Sequence, residues 1–165
     1  MEPKIDAQIF QFTNPDDSPG FLLWQISNLW QRKMKAGLSD LGLTHVQFVL
    51  LAGIVWFNQQ GESVTQARLA AHAKTDVMMT SKVLRTLEKK GLVQREVHAT
   101  DTRAKSLSIT SQGYELFEAA IAIVDRIDRE FFAVSARQLS NFRSCLQAVL
   151  TLNQGSENLE LMPNS

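Results

Sequence analysis

The chain has 165 residues, 17 basic and 17 acidic, with 44% hydrophobic residues and a formal charge of zero; this suits one domain with a full core and argues against a second independent one. The longest apolar run, Phe48 to Phe57 with Gly53 inside it, falls well short of the ~20 residues of a membrane-spanning helix, and the opening MEPKIDAQIF lacks the basic start and apolar core of a secretory leader, so we expect a cytoplasmic protein. Cys145 is the only cysteine, which excludes an intrachain disulfide and, within one chain, a thiolate metal cluster.

Residues 1–19 end in NPDDSPG, a cluster of turn formers that marks an arm ahead of the domain, which we place at 20–154. From Phe21, the residues Leu23, Ile26, Trp30, Met34, Leu38 and Leu41 recur at intervals of three and four. That spacing is one apolar stripe of a helix, stopped by Gly42. Thr44 and Gln47 form a capping box that opens a second helix reaching about Asn58. It is apolar nearly all round and is expected to be buried.

Val64 suits a short strand, after which Thr65 caps an alanine-rich helix from Gln66 to Ala73. Thr75 or Asp76 then caps a fourth helix, with Val77, Thr80, Leu84 and Leu87 facing inward and Gly91 as its left-handed stop. Val93, Arg95 and Val97, then Leu107 and Ile109 alternating with Ser106 and Ser108, have strand period. They predict a hairpin with a charged tip. Helix resumes at Thr110, and Tyr114, Phe117, Ile121, Val124 and Phe131 mark an amphipathic segment of roughly 20 residues. Ser135 with Gln138 is a second capping box, opening a last helix through Leu139, Phe142, Leu146 and Val149. Among these residues Cys145 reads as a small buried hydrophobe, with a reactive thiol as the alternative. Residues 155–165 look frayed.

The zero net charge hides a segregation. Residues 68–105 carry Arg68, Lys74, Lys82, Arg85, Lys89, Lys90, Arg95, Arg103 and Lys105 against Asp76, Glu88, Glu96 and Asp101, whereas the rest carries eight basic and thirteen acidic residues. A positive segment spanning one helix and one hairpin is the footprint of a polyanion-binding subregion. A two-helix unit placed directly before a charged hairpin is a winged helix-turn-helix layout, here over 44–109, in a mainly α fold with a small β-hairpin wing. In such a unit the second helix enters the major groove of duplex DNA and the hairpin reaches a neighbouring groove or the phosphates.

The outward face of the fourth helix then presents Met78, Ser81, Lys82, Arg85 and Lys89. Lys82 and Arg85 can reach guanine edges or phosphates, and Ser81 can bond either. Met78 and Met79 suit thymine methyls, or equally a core gap. At the hairpin tip Arg103 suits a narrow minor groove. Asp101 can hold the turn in one shape beforehand, and Lys105 in the same polar loop is expected to join the wing's contact with DNA.

The run DTRAKSLSITSQG, residues 101–113, resembles the wing of MarR-type regulators. VMMTSKVLRTLEKKGLVQRE (77–96) resembles their recognition helix and its exit, and LTHVQFVLL (43–51) the start of their second helix. The resemblance covers about residues 20–150 and rests on the combination rather than on any one piece. It implies a homodimeric transcriptional regulator, usually a repressor, released from a pseudo-palindromic operator by a small molecule or an oxidant. It also implies the wing roles of Asp101 and Arg103, and dimerisation through helices at about 20–41 and 111–153.

An enzyme is not expected. His45, His72 and His98 have no local carboxylate in an acid-base or metal spacing, and the chain has neither a phosphate-binding glycine loop nor a nucleophile elbow. No metal site or cofactor is implied. The peroxide-sensing branch of the resembled family uses a cysteine near the start of the domain, where this chain has none. A small aromatic or amphipathic effector is therefore expected, in the cleft between dimerisation helices and winged domain. Trp24, Trp30, His45 and Trp56 would line it, although each also suits plain core. The alternatives are a winged helix used only for protein contacts, and an oxidation-responsive regulator using Cys145.

Overall fold

The computed structural model describes residues 11–62, 64–97 and 105–160. A 3₁₀ turn, Pro15–Asp17, leads into α1, Pro19–Leu38. The Ser18 hydroxyl accepts from the Phe21 amide at 3.3 Å. The helix thus opens at Pro19, before the expected Phe21, because proline's fixed φ suits the first helical position. Of the α1 stripe, Met34 and Leu38 are fully buried while Leu23 is exposed. A second 3₁₀ turn, Ser39–Leu41, ends at Gly42 with φ +61°.

The capping box at the start of α2, His45–Gln59, is complete: the Thr44 amide donates to Gln47 Oε1 at 3.1 Å, and the Gln47 amide to Thr44 Oγ1 at 3.3 Å. As its composition requires, α2 is the buried centre, with Phe48, Leu50, Leu51, Ile54 and Phe57 in the core. Strand β1, Val64–Thr65, runs straight into α3, Gln66–Ala73, and α4, Val77–Lys89, follows after Lys74 turns the chain at φ 52°.

Asp76, rather than Thr75, caps α4, accepting from the Met79 amide at 2.8 Å. Thr75 instead meets the fully buried Thr80, hydroxyl to hydroxyl at 2.8 Å. The inward stripe is Thr80, Leu84 and Leu87. Val77 does not join it, being about half exposed; it occupies the first position of the helix, where the chain has only just left the α3–α4 turn.

Strands β2, Val93–Val97, and β3, Lys105–Ile109, form the expected antiparallel pair, and β1 adds to the far side of β3. Leu107, paired with both Val64 and Arg95, is buried beneath this three-stranded sheet. The start of α5, Ser111–Phe131, is fixed by Thr110, which accepts from the Gly113 amide at 3.0 Å and donates to the Gly91 carbonyl at 2.7 Å. Gly113 is required on steric grounds: a Cβ there would overlap the Leu92 carbonyl. Thr110 and the glycine three residues on therefore form one joint between the sheet and α5.

The chain divides into two compact units, one reaching Ile127 and the other starting at Asp128. In the second, Phe132 contacts Phe131 and Phe142, with ring centroids 5.0 and 6.0 Å apart. The Ser135–Gln138 capping box opens α6, Ala136–Glu160. Two expectations fail here. The helix continues to Glu160 instead of fraying after Gln154. Cys145 is exposed, not buried, because Leu146, Val149 and Leu150 beside it are themselves exposed and provide no core for the thiol.

Candidate nucleic-acid interface

Helix α4 has two ends of different character. At its start Met78 is 76% and Met79 42% exposed. The core-filling reading of this pair is thereby excluded, since apolar side chains this open to water fill no gap. Further along, Lys82, Arg85 and Lys89 are exposed on the same outward face and Ser81 is half-buried. Arg85 Nη2 lies 3.3 Å from Ser81 Oγ, one turn apart, a contact that extends the guanidinium along the helix surface.

The far end of α4 is clamped. Lys90, just past the helix, donates from Nζ to the Gly42 carbonyl at 2.7 Å, tying α4 to the α1–α2 turn. Glu88 Oε2 lies 3.2 Å from Nε of Arg95 on β2. Sequence reasoning counted Arg95 and Lys90 with the positive segment by residue type alone. The structure turns Arg95 inward, its side chain 17% exposed. Its place among the core-facing residues of an alternating strand was the available signal.

On α3, Arg68 is also engaged, stacked over the Phe57 ring at 4.3 Å and paired with Glu62. The cations on the outward face of α4 are therefore Lys82, Arg85 and Lys89.

Asp101 and Arg103, the expected wing-tip residues, lie outside the described residues. Lys105 opens β3 opposite Val97, which brings the wing strands together at that point. The four residues expected to share an effector cleft are placed as follows. Trp30 and His45 meet edge to face, ring centroids 4.8 Å apart. His45 borders a hollow of about 490 Å³ with Asn28, Arg32, Lys35 and Thr44. Trp24 lies in a separate depression along α1 with Gln25 and Leu29, and Trp56 in a groove with Phe48, Ala52 and His72. No cluster of three or more His, Cys, Asp or Glu residues suited to a metal occurs among the described residues. No single helix among them is long and apolar enough to cross a membrane.

Comparison with known proteins agrees with this geometry. Residues 39–127 match the model of the "ArnR1-like, winged-helix domain" family. The chain is 47% identical to YdcH of Bacillus subtilis (strain 168), an uncharacterized HTH-type transcriptional regulator, over 85% of this chain and 95% of that protein. It is 32% identical to the HTH-type transcriptional repressor Rv2887 of Mycobacterium tuberculosis (strain H37Rv), over 80% and 94% of the two chains. The crystal structure of Rv2887, a MarR family protein, in complex with DNA superposes with a TM-score of 0.63, covering 80% of this chain and 97% of that one at 29% identity. CouR from Rhodococcus jostii RHA1, solved with p-coumaroyl-CoA bound, superposes at 0.74 over 84% and 95% of the two chains with 27% identity.

Proposed function

Because the chain belongs to the MarR family of winged helix-turn-helix transcriptional regulators, we propose that it acts as a homodimeric repressor that reads a pseudo-palindromic operator through α4. The observation that carries this reading is the exposed face of α4, on which Met78, Met79, Lys82 and Arg85 are open to solvent. Apolar tips suit thymine methyls, and the cations suit guanine edges and phosphates. Asp101 and Arg103 complete the reading from the sequence as the wing contact in the minor groove.

A second copy would cover the apolar residues left exposed on α1 and α6 and set two recognition helices one turn, ~34 Å, apart on the duplex. Operator binding near a promoter then excludes other proteins, which is repression. Release falls to a small aromatic or amphipathic ligand. The hollow at His45 suits its polar end, since Arg32 and Lys35 border it, and the Trp30 ring lies against His45. A hundredfold preference of such a ligand for the DNA-free conformation would shift the equilibrium by ~2.7 kcal/mol per site. Exposure of Cys145 keeps thiol oxidation as the competing trigger.

Selection of duplexes from a random-sequence pool tests the DNA reading. The expected result is an enriched inverted repeat whose affinity falls steeply with salt. A pool that stays random after selection would favour the protein-contact alternative. Release by peroxide in the wild type but not in Cys145→Ser would replace the small-molecule trigger with oxidation.

A further inference from the structure

Arg95 and Glu88 pose a physical puzzle. The guanidinium is withdrawn from water at the root of the hairpin, where Arg95 pairs across the sheet with the buried Leu107. Its Nε lies 3.2 Å from Glu88 Oε2 as an ion pair, yet neither Nε nor Nη2, both buried, makes a hydrogen bond among the described residues. Taking a charge out of water and leaving two of its donor nitrogens without a hydrogen bond costs more than a single half-exposed carboxylate returns, so an apolar side chain of similar length would serve the fold as well or better. The pair does something that apolar packing would not. It joins the last turn of α4 to the first wing strand at a set distance, because the attraction between a guanidinium withdrawn from water and a carboxylate weakens as the two separate.

We propose that Glu88 and Arg95 are positioning residues for DNA recognition. Together they fix the angle between the base-reading helix and the wing, so that both reach their grooves at once, and neither touches DNA. The inference rests on α4 as the reading helix.

Its sharpest consequence is one of sign. Removing a carboxylate from a surface that faces phosphates strengthens binding to any duplex by electrostatics alone. If Glu88 positions the wing, Glu88→Gln instead weakens binding to the duplex that the wild-type protein selects from a random pool. The expected loss is about tenfold, the scale of one misplaced groove contact. Affinity for a scrambled duplex stays level or rises. Arg95→Met keeps the stem and loses the fork; it should melt at or above the wild-type temperature, lose operator affinity to the same extent and keep the wild-type salt slope.

Three results would overturn the proposal. Glu88→Gln could bind the selected duplex as well as or better than the wild type. Arg95→Met could lower the salt slope by about one and weaken both duplexes equally, which is the behaviour of a direct phosphate contact. Arg95→Met could also lose helix content together with binding, as a merely structural residue would. A wild-type protein that selects no duplex at all defeats the reading of α4 itself, whereas normal selection with an unimpaired Glu88→Gln defeats the brace alone.

Discussion

The winged part of the molecule and its terminal helices treat apolar side chains in opposite ways. Between α2 and β3, most large apolar residues find a partner within the chain: Leu50, Leu51, Ile54, Leu69, Leu84 and Leu107 are all shielded from water, and the exposed ones, Trp56, Val77, Met78 and Met79, are the exceptions among the described residues. Along the first half of α1, Leu23, Trp24 and Leu29 remain exposed, and so do Val149, Leu150 and Leu152 on α6. Both sets sit on periodic apolar stripes, and both would pass for core in a sequence. The difference is that the winged part closes on itself, whereas exposed apolar faces of this extent mark surfaces that another molecule covers. A second copy of this chain is the occupant proposed above.

Substitutions should separate the two regions by kind of effect. The largest losses belong to the closed core. Leu84→Ala leaves a cavity beneath α4 and should cost ~2–5 kcal/mol, and Gly113→Ala, which drives a methyl group into the Leu92 carbonyl, should cost ~3 kcal/mol by overpacking. Urea unfolding would measure both, and near-wild-type midpoints would mean that the sheet–α5 joint is loose. In the open region a charge should act on assembly instead. Val149→Glu with Leu150→Glu is expected to keep helix content while sedimentation reports one chain where the wild type reports two. An unchanged mass would place the dimer contact elsewhere.

Smaller effects concern recognition. Arg103→Ala should weaken the selected duplex by ~1–3 kcal/mol without moving the melting temperature, and Asp101→Ala should weaken it as well by loosening the wing. Titrations at wild-type affinity for both would remove the wing from the account. Lys82→Ala and Arg85→Ala should change the preferred sequence if these residues read bases, or only the salt slope if they hold phosphates. The least effect is expected at a helix start: Asp76→Ala removes the cap of α4 and should lower stability by ~1 kcal/mol, seen in the same urea series.

The sequence was most legible where chemistry is local. Thr44 with Gln47 and Ser135 with Gln138 mark helix starts because a capping box needs only four consecutive residues, and Gly42 and Gly91 mark stops because they adopt positive φ. The alternation at 93–97 and 105–109 gave the hairpin for the same reason. What lies opposite a face is not local. Periodicity told that Val77 and Cys145 sit on apolar stripes but not that the stripe ends before the first or finds no core at the second. Residue type likewise counted Arg95 as a surface cation, when its strand position turns it toward Glu88. Which residues share a cleft is likewise a matter of tertiary contact: Trp30 meets His45 edge to face, while Trp24 and Trp56 border hollows on α1 and beside α2.

The central claim, a dimer that reads sequence through paired α4 helices, is tested most directly by the composition and selectivity of the complex. Sedimentation of the protein with the duplex it selects, followed by competition with a scrambled duplex at physiological salt, measures both. The account predicts two chains per duplex and a preference for the selected sequence of at least ~10³. One chain per duplex, or equal affinity for the two sequences, would contradict it.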